Sequence, residues 1–178
     1  SSQATRIERT ESWTFMVYLD GDNNLESAGI DDVNEMEIAG STDDLNIIVQ
    51  FDRIAGYDSS NGDWTTTKRY YITLDAVADE IIRSTLLQDL GELNMGNPQT
   101  LIDFVNWATD NFPADHYCLV LWDHGSGWRA RAYDAEIIIR GVCWDETNGW
   151  DYLTTGELKQ AMGSITTHIG RNVDIVDF

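Results

Sequence analysis

The sequence predicts an α/β fold in which helices cover both faces of a mostly parallel sheet. Several continuous apolar runs, rich in β-branched and aromatic residues, have the length and composition of buried strands. Segments with helical spacing of apolar residues alternate with these runs, which is typical of a parallel sheet packed between helices. At 178 residues with 42% hydrophobic content, the chain is long enough for one sizeable core and too short for two ordinary domains.

The N-terminal part begins with a polar stretch and then enters the predicted sheet. Residues 1–11 are expected to form a flexible lead-in to a domain over residues 12–178. The apolar run Trp13–Asp20 predicts the first strand. A loose helical pattern over Asn23–Ile38 predicts the first helix, which Gly40 is expected to end.

A second strand, a hairpin and a second helix are predicted next. The run Leu45–Phe51 has strand character, and the turn residues 59–63 predict a hairpin over Tyr57–Leu74. Residues 75–96 are ambiguous. Helical spacing then begins at Asn97-Pro98, a typical helix start, and is expected to end before Pro113.

The C-terminal third contains two further predicted strands on either side of an irregular region. The first of these strands covers His116–Asp123, and the segment Arg129–Asp145 is expected to form a second hairpin or a long insert. A short helix is predicted over Thr154–Met162 with Thr155 as its cap, and a last strand over Val173–Phe178.

Charge excludes one class of partner and favours another. The 31 acidic residues against 11 basic ones give a net charge of −20, so this chain cannot neutralise nucleic-acid phosphates. The excess favours basic peptides or calcium as partners, although a solvated acidic surface would give the same composition.

Neither a membrane span nor a disulfide framework is predicted. The chain has no run of 18 apolar residues and no visible signal peptide, and it begins at Ser1. A processed exported protein, or a trimmed chain, would begin in this way, and we expect a secreted or cell-surface location. Cys118 and Cys143 are too few for a disulfide scaffold; Cys118 is expected in the core, and a bridge between the two stays open.

His124 is the residue with the clearest chemical setting. It follows an apolar strand and precedes Gly125, so its imidazole would lie at the strand end where α/β sheets build active sites. A neutral imidazole can act as general base, and a glycine leaves its amide free for an oxyanion, although an inert loop histidine gives the same pattern. His116 and His168 lack this setting and are expected to be structural.

The acidic segment Asp20–Asn24 does not match a calcium loop. An EF-hand would need Gly where Leu25 stands and Glu where Asp31 stands. We expect Asp22 or Asn23 to cap the following helix. A metal-dependent hydrolase using Asp20, Asp22 and His124 is a weaker alternative, because no second histidine lies at ligand spacing.

Three arginines, Arg129, Arg131 and Arg140, cluster shortly after His124. They could balance charge on an exposed insert, or they could form a processing loop for an enzyme that cuts after basic residues. The residues alone leave both interpretations open.

The chain resembles the clostripain family of cysteine peptidases, which belongs with the caspases, legumains and gingipains. The resemblance covers nearly the whole chain, and its most specific part is the segment around His124-Gly125. The segments that carry it are Phe15–Asp20 with Asp22–Glu26, Gly91–Pro98, Phe112–Asp115, Leu121–Trp128 and Leu153–Leu158.

The resemblance implies a caspase-like three-layer α/β/α sandwich and the chemistry of a thiol peptidase. His124 would assist a cysteine nucleophile, and the Gly125 N–H would contribute to the oxyanion hole. In the family an apolar block ending in Phe precedes Asp-Ala-Cys; Val173–Phe178 resembles that block, so the nucleophile is expected beyond Phe178. The domain over 12–178 would then be partial, and inactive without a C-terminal fragment carrying the cysteine.

The resemblance also implies a specificity, a maturation step and a regulator. Family members prefer Arg or Lys before the scissile bond and mature by self-cleavage, for which Arg140 is the first candidate, followed by Arg131 and Arg129. The chemistry requires no cofactor; some members depend on calcium, but the sequence indicates no loop as a calcium site and does not identify the substrate-binding residues. The alternative is a catalytically inactive caspase-like module that binds partners.

Overall fold

The computed structural model describes residues 11–77, 79–124 and 141–178, and the structural statements below concern those residues. In chain order the elements are β1 (Trp13–Gly21), α1 (Glu26–Ala39), β2 (Leu45–Arg53), β3 (Lys68–Tyr71), β4 (Thr85–Asp89), α2 (Pro98–Asn111), β5 (His116–Trp122), β6 (Gly141–Asp145), β7 (Asp151–Thr154), α3 (Thr155–Ile169) and β8 (Ile175–Asp177).

The main sheet has six strands in the order β4-β3-β2-β1-β5-β8. Strand β1 pairs in parallel with β2 and with β5, and β5 pairs in parallel with β8. Strands β3 and β4 add an antiparallel edge. The central strands are continuous apolar runs because both of their faces are covered, and the predicted mostly parallel α/β sheet is confirmed.

Helices pack on both faces of this sheet. On one face, Ile30 and Val33 of α1 pack against Leu19 of β1 and Phe51 of β2. On the other face, the core contains side chains of α2, α3 and the second hairpin, among them Phe104, Ile165 and Val142. The fold therefore has three layers, as expected.

The hairpin predicted over Tyr57–Leu74 is wrong. Only Lys68–Tyr71 is a strand, and it pairs with β2 on one side and with β4, from the ambiguous stretch, on the other. The preceding loop folds over the end of β2 instead, because the Arg53 guanidinium binds the carbonyl oxygens of Asp58 and Ser60 at 2.9 and 3.2 Å.

The helix starts also differ from the sequence prediction. The N-cap of α1 is Leu25, which has no side-chain cap; Asn23 Oδ1 accepts from the Leu25 N–H at 2.8 Å, just before the helix. Helix α3 is capped by Thr154, not Thr155, in a capping box with Glu157.

The last two predicted segments are partly confirmed. Helix α3 runs on to Ile169, because Ile165 continues its buried face, and Gly170 ends it in the left-handed region. Strand β8 is shorter than predicted, since only Ile175–Asp177 pairs with β5.

Two alternatives around β6 are resolved in part. The end of the predicted segment Arg129–Asp145 forms strand β6, which makes a hairpin with β7, a strand that follows this segment. The rest of the segment, residues 129–140, lies outside the described residues. Cys118 and Cys143 are both free and buried, so they form no bridge.

Candidate active site

His124 lies directly after β5, exposed at the C-terminal edge of the sheet. Because β1 and β5 are parallel neighbours, their C-terminal ends meet, and Asn24 from the loop after β1 reaches the histidine. The distance from His124 Nε2 to Asn24 Oδ1 is 2.9 Å. An amide oxygen only accepts, so this contact places the proton on Nε2 and leaves Nδ1 as the acceptor.

Asp123 ties the loop beneath His124 to two neighbouring segments. Its Oδ1 accepts from Asn23 Nδ2 at 2.8 Å, and its Oδ2 accepts from the Trp144 backbone N–H. Asn23 Nδ2 also donates to the Trp144 carbonyl at 3.0 Å. Burial raises the pKa of Asp123 to about 7. The loops after β1 and β5 and the strand β6 are thereby held together beneath the imidazole.

Several of the predicted site residues are not described. Gly125, Arg129, Arg131 and Arg140 lie outside the described residues, so their roles stay predictions. His116, by contrast, is described: it lies at the start of β5, and its ring is stacked on that of Trp13 with centroids 4.7 Å apart.

The two histidines expected to be structural both bind surface carboxylates. His116 hydrogen-bonds to Glu11 and to Asp174, and these bonds raise its pKa. His168 Nε2 lies 2.9 Å from Asp110 Oδ1. Neither contact places an imidazole at the edge that carries His124.

Neither cysteine has the environment of a nucleophile. Burial raises the pKa of Cys118, and it raises the pKa of Cys143 well above the ordinary thiol value, with the charges of Asp20 and Asp123 adding to the effect. A thiol nucleophile needs the opposite, an accessible sulfur with a lowered pKa.

Four carboxylates converge at the same edge of the sheet and form a cluster that was not predicted from the sequence. Ligand atoms of Asp22, Asp52, Glu92 and Asp145 all lie within 4.8 Å of one another. Three of the four residues are fully buried, and Glu92 is exposed. The cluster shares Asp22 with the weak hydrolase hypothesis, but it contains neither Asp20 nor His124.

The pKa values of this cluster are displaced upwards. Burial raises the pKa of Asp52 well above its ordinary value, and the charge of Glu92 adds to this. Partial desolvation and the charges of Asp22 and Asp145 raise the pKa of Glu92 to about 7. Burial likewise raises the pKa of Asp145. Among the described residues, the ionised forms of these carboxyl groups are therefore unfavourable without a cation.

The signal for this cluster was present in the sequence but scattered. Each acid lies in a strand or in the loop that follows one, and parallel strands bring their C-terminal ends to one edge. The order of the strands, which sequence spacing does not give, decides which of these acids meet.

Comparisons with known proteins agree on one family. The model of the Clostripain family matches residues 17–178. The chain is 30% identical over 183 residues to clostripain from Hathewaya histolytica, a match that covers 96% of the chain. It spans only about a third, 34%, of the length of that relative.

Solved structures show the same fold. A secreted C11 cysteine protease from Bacteroides thetaiotaomicron, in complex with an irreversible peptide inhibitor, matches with a TM-score of 0.61 at 21% identity. That match covers 86% of this chain and 39% of the protease. A B. fragilis cysteine protease matches with a TM-score of 0.51 at 19% identity, over 70% of this chain and 98% of that one.

Within the described residues, no helix is both long and apolar enough to cross a bilayer.

Proposed function

Because the chain belongs to the clostripain family of cysteine peptidases, we propose that the protein is a cysteine endopeptidase whose acid–base residue is His124. The observation that carries the proposal is the contact from His124 Nε2 to Asn24 Oδ1, which fixes the ring and assigns the role of acceptor to Nδ1. Such a fixed, exposed imidazole at the end of a parallel strand is suited to proton transfer.

The proposed nucleophile is a cysteine other than the two in this sequence. Both Cys118 and Cys143 are buried and have raised pKa values, which opposes thiolate formation. The thiol is therefore supplied by polypeptide outside this sequence, as the resemblance implies for a position beyond Phe178.

The chemistry assigned to His124 is acyl transfer in two steps. The thiolate attacks the scissile carbonyl carbon, the C–N bond breaks, and the imidazolium gives its proton to the leaving amine. His124 then takes a proton from water as the water attacks the thioester, which releases the carboxylic acid and restores the thiolate and the imidazolium. The proposed role of the Gly125 N–H is to donate to the oxyanion in both steps.

Arg or Lys before the scissile bond is the proposed specificity. The similarity to clostripain supports it, and so does the negative field of a chain with a net charge of −20, which attracts basic peptides. We also infer that the protein is secreted, since a secreted protease shares its fold.

The test compares two histidine variants of the full-length protein on peptide substrates with Arg, Lys or Asp before the cleaved bond. His124→Ala is expected to lower turnover by about 10²–10⁴-fold, the span for a lost acid–base partner. His168→Ala is the matched control, because that exposed imidazole hydrogen-bonds to Asp110, away from the edge that carries His124, and its loss should leave turnover unchanged. A His124→Ala variant with most of its activity, or equal rates on Arg and Asp substrates, would contradict the proposal.

Maturation by cleavage in the segment after His124 is part of the proposal, with Arg140 as the first site and Arg131 and Arg129 next. A triple Arg→Ala variant should run as one uncut chain on a denaturing gel. Fragments of unchanged size would exclude all three sites.

An inactive binding module is the second candidate, and it is favoured by the burial of both cysteines in this sequence. A binder would hold Arg-containing peptides without hydrolysing them and would be insensitive to thiol alkylation. The peptidase would lose all turnover on alkylation.

A further inference from the structure

We propose that the carboxylates of Asp22, Asp52, Glu92 and Asp145 form a binding site for one Ca²⁺ ion. Their ligand atoms lie within 4.8 Å of one another at the sheet edge that carries His124. The inference concerns binding and stability, and it can be tested whether or not the protein cleaves peptides.

Within the part of the chain that the structure describes, no basic side chain forms an ion pair with these four carboxylates. Asp22 Oδ2 and Asp52 Oδ2 are buried and have no hydrogen-bond partner among the described residues. Arg53 is the neighbouring base, but its guanidinium is turned to Glu26, at 2.6 Å, and to the carbonyl of Asp58. Buried carboxylates are costly unless they are paired or coordinate a metal, so a cation accounts for these two oxygens.

Hydrogen bonds hold the carboxylates of Asp22 and Asp52 in place. Asp22 Oδ1 accepts from the Thr147 N–H at 2.9 Å, and Asp52 Oδ1 accepts from Thr67 Oγ1 at 2.9 Å. In both residues the anchored oxygen is not the unpartnered one, so each carboxylate is held in place and keeps one buried oxygen available to a cation.

The carboxylates of Asp145 and Glu92 are also anchored by hydrogen bonds. Their donors lie in the loop after β6 and in the loop that precedes α2. Asp145 accepts from the N–H groups of Asn148 and Met95 at 2.7 and 2.8 Å. Asn148 Nδ2 also donates to Glu92 Oε1 at 2.9 Å. Metal-ligating carboxylates are typically oriented by such outer hydrogen bonds.

The donor set and its size favour Ca²⁺. All four donors are carboxylate oxygens, which hard divalent cations prefer. Oxygens on opposite sides of Ca²⁺, at about 2.3–2.6 Å from the ion, are about 4.6–5.2 Å apart, which accommodates a 4.8 Å cluster. Around Mg²⁺ the same separation is only about 4.2 Å, and Mg²⁺ retains several waters for which four fixed carboxylates leave little room.

The ion would join four segments that are distant in sequence. Asp22 follows β1, Asp52 lies in β2, Glu92 follows β4, and Asp145 ends β6. Next to Asp145, the Trp144 N–H binds Asp123, the neighbour of His124. Bound Ca²⁺ would therefore offset two of the up to four negative charges of the cluster and stabilise the edge from which His124 projects.

The experiment measures Ca²⁺ binding by titration calorimetry, and the melting temperature with CaCl₂ or with chelator, on the full-length protein. It is run at about 0.15 M KCl, which screens weak attraction to the acidic surface. We expect one Ca²⁺ per chain with a Kd below about 1 mM, and a melting temperature several degrees higher with saturating Ca²⁺. MgCl₂ at the same concentration should give a smaller shift.

Two variants identify the ligands. Asp52→Asn should abolish the Ca²⁺ shift, and with chelator it should melt no lower than the parent because a buried charge is removed. Glu92→Gln alters an exposed side chain, so folding is not at risk, and it should weaken binding at least about 10-fold. Asp31→Asn makes the same charge change on the exposed side of α1 and should bind like the parent.

Three results would overturn the assignment. The first is the absence of any Ca²⁺-dependent heat or melting shift. The second is a Kd for Glu92→Gln or Asp52→Asn equal to that of Asp31→Asn. The third is an Mg²⁺ shift as large as that of Ca²⁺, which would contradict the choice of ion.

Discussion

One hydrogen bond sets which nitrogen of His124 is available for chemistry. Asn24 Oδ1 lies 2.9 Å from Nε2, so the proton resides on Nε2 and Nδ1 is left to accept one. An amide fixes this tautomer without adding charge. Asn24 is thus a positioning residue in the proposed peptidase, acting through the imidazole.

Substitution of Asn24 separates positioning from charge. Asn24→Ala should lower kcat/KM by about 2- to 10-fold, the value of one hydrogen bond of about 0.5–1.5 kcal/mol. Asn24→Asp restores the acceptor, so most of the activity should return. Its carboxylate favours the imidazolium and raises the histidine pKa, so the pH–rate profile should move to higher pH.

The readout is the pH dependence of kcat/KM for parent, Asn24→Ala and Asn24→Asp. A purely structural role for Asn24 would change the height of the profile and leave its position unchanged. An Asn24→Asp profile at the parental pH would contradict the positioning role.

At this scale the sequence predicted His124 as a candidate site residue but did not predict its contact with Asn24. Strand-end placement and the following glycine single out His124, whereas Asn24 was considered only within the acidic segment after the first strand, without a role of its own. The pairing of Asn24 with His124 requires that β5 lie beside β1, and this neighbour relation is a property of sheet order. The four-carboxylate cluster was missed for the same reason.

The elements that could be predicted are those whose signal is local. The central strands read as continuous apolar runs and were found within a residue or two, since burial on both faces fixes their composition. Strand β3 was included in the predicted hairpin but with the wrong partner, and β4 was not predicted, because the pairing of both strands depends on tertiary contacts. The loop held by Arg53 was mistaken for a hairpin arm.

The start of α3 gives a test at this scale. Thr154 Oγ1 accepts from the Glu157 N–H at 3.2 Å, and Glu157 Oε2 accepts from the Thr154 N–H at 3.0 Å. Thr154→Ala removes half of this capping box and should lower the free energy of unfolding by about 1 kcal/mol. The measurement is urea unfolding of the full-length protein.

Thr155 provides the control for this substitution. It is exposed in the first turn and was the cap predicted from sequence. Thr155→Ala should change the unfolding free energy by less than about 0.5 kcal/mol. A larger loss at Thr155 than at Thr154 would contradict the assigned helix start.

On the scale of the whole molecule, acidic charge and the α/β sandwich act together. The parallel strands direct their C-terminal ends to one edge, which gathers His124, Asn24, Asp123 and the carboxylate cluster. A net charge of −20 makes the molecule attractive to cations, both basic peptides and Ca²⁺. The net charge is evident from the composition, whereas the clustering of four carboxylates at this edge is not.

The central claim is that His124 serves a cysteine outside this sequence in a peptidase specific for basic residues. The most direct measurement treats the full-length protein with an irreversible, thiol-reactive peptide inhibitor carrying Arg, and locates the label by mass spectrometry of the digested protein. We expect a single labelled cysteine that is neither Cys118 nor Cys143, with labelling strongly reduced in His124→Ala. A label on either of those buried cysteines, or no labelled cysteine at all, would contradict it.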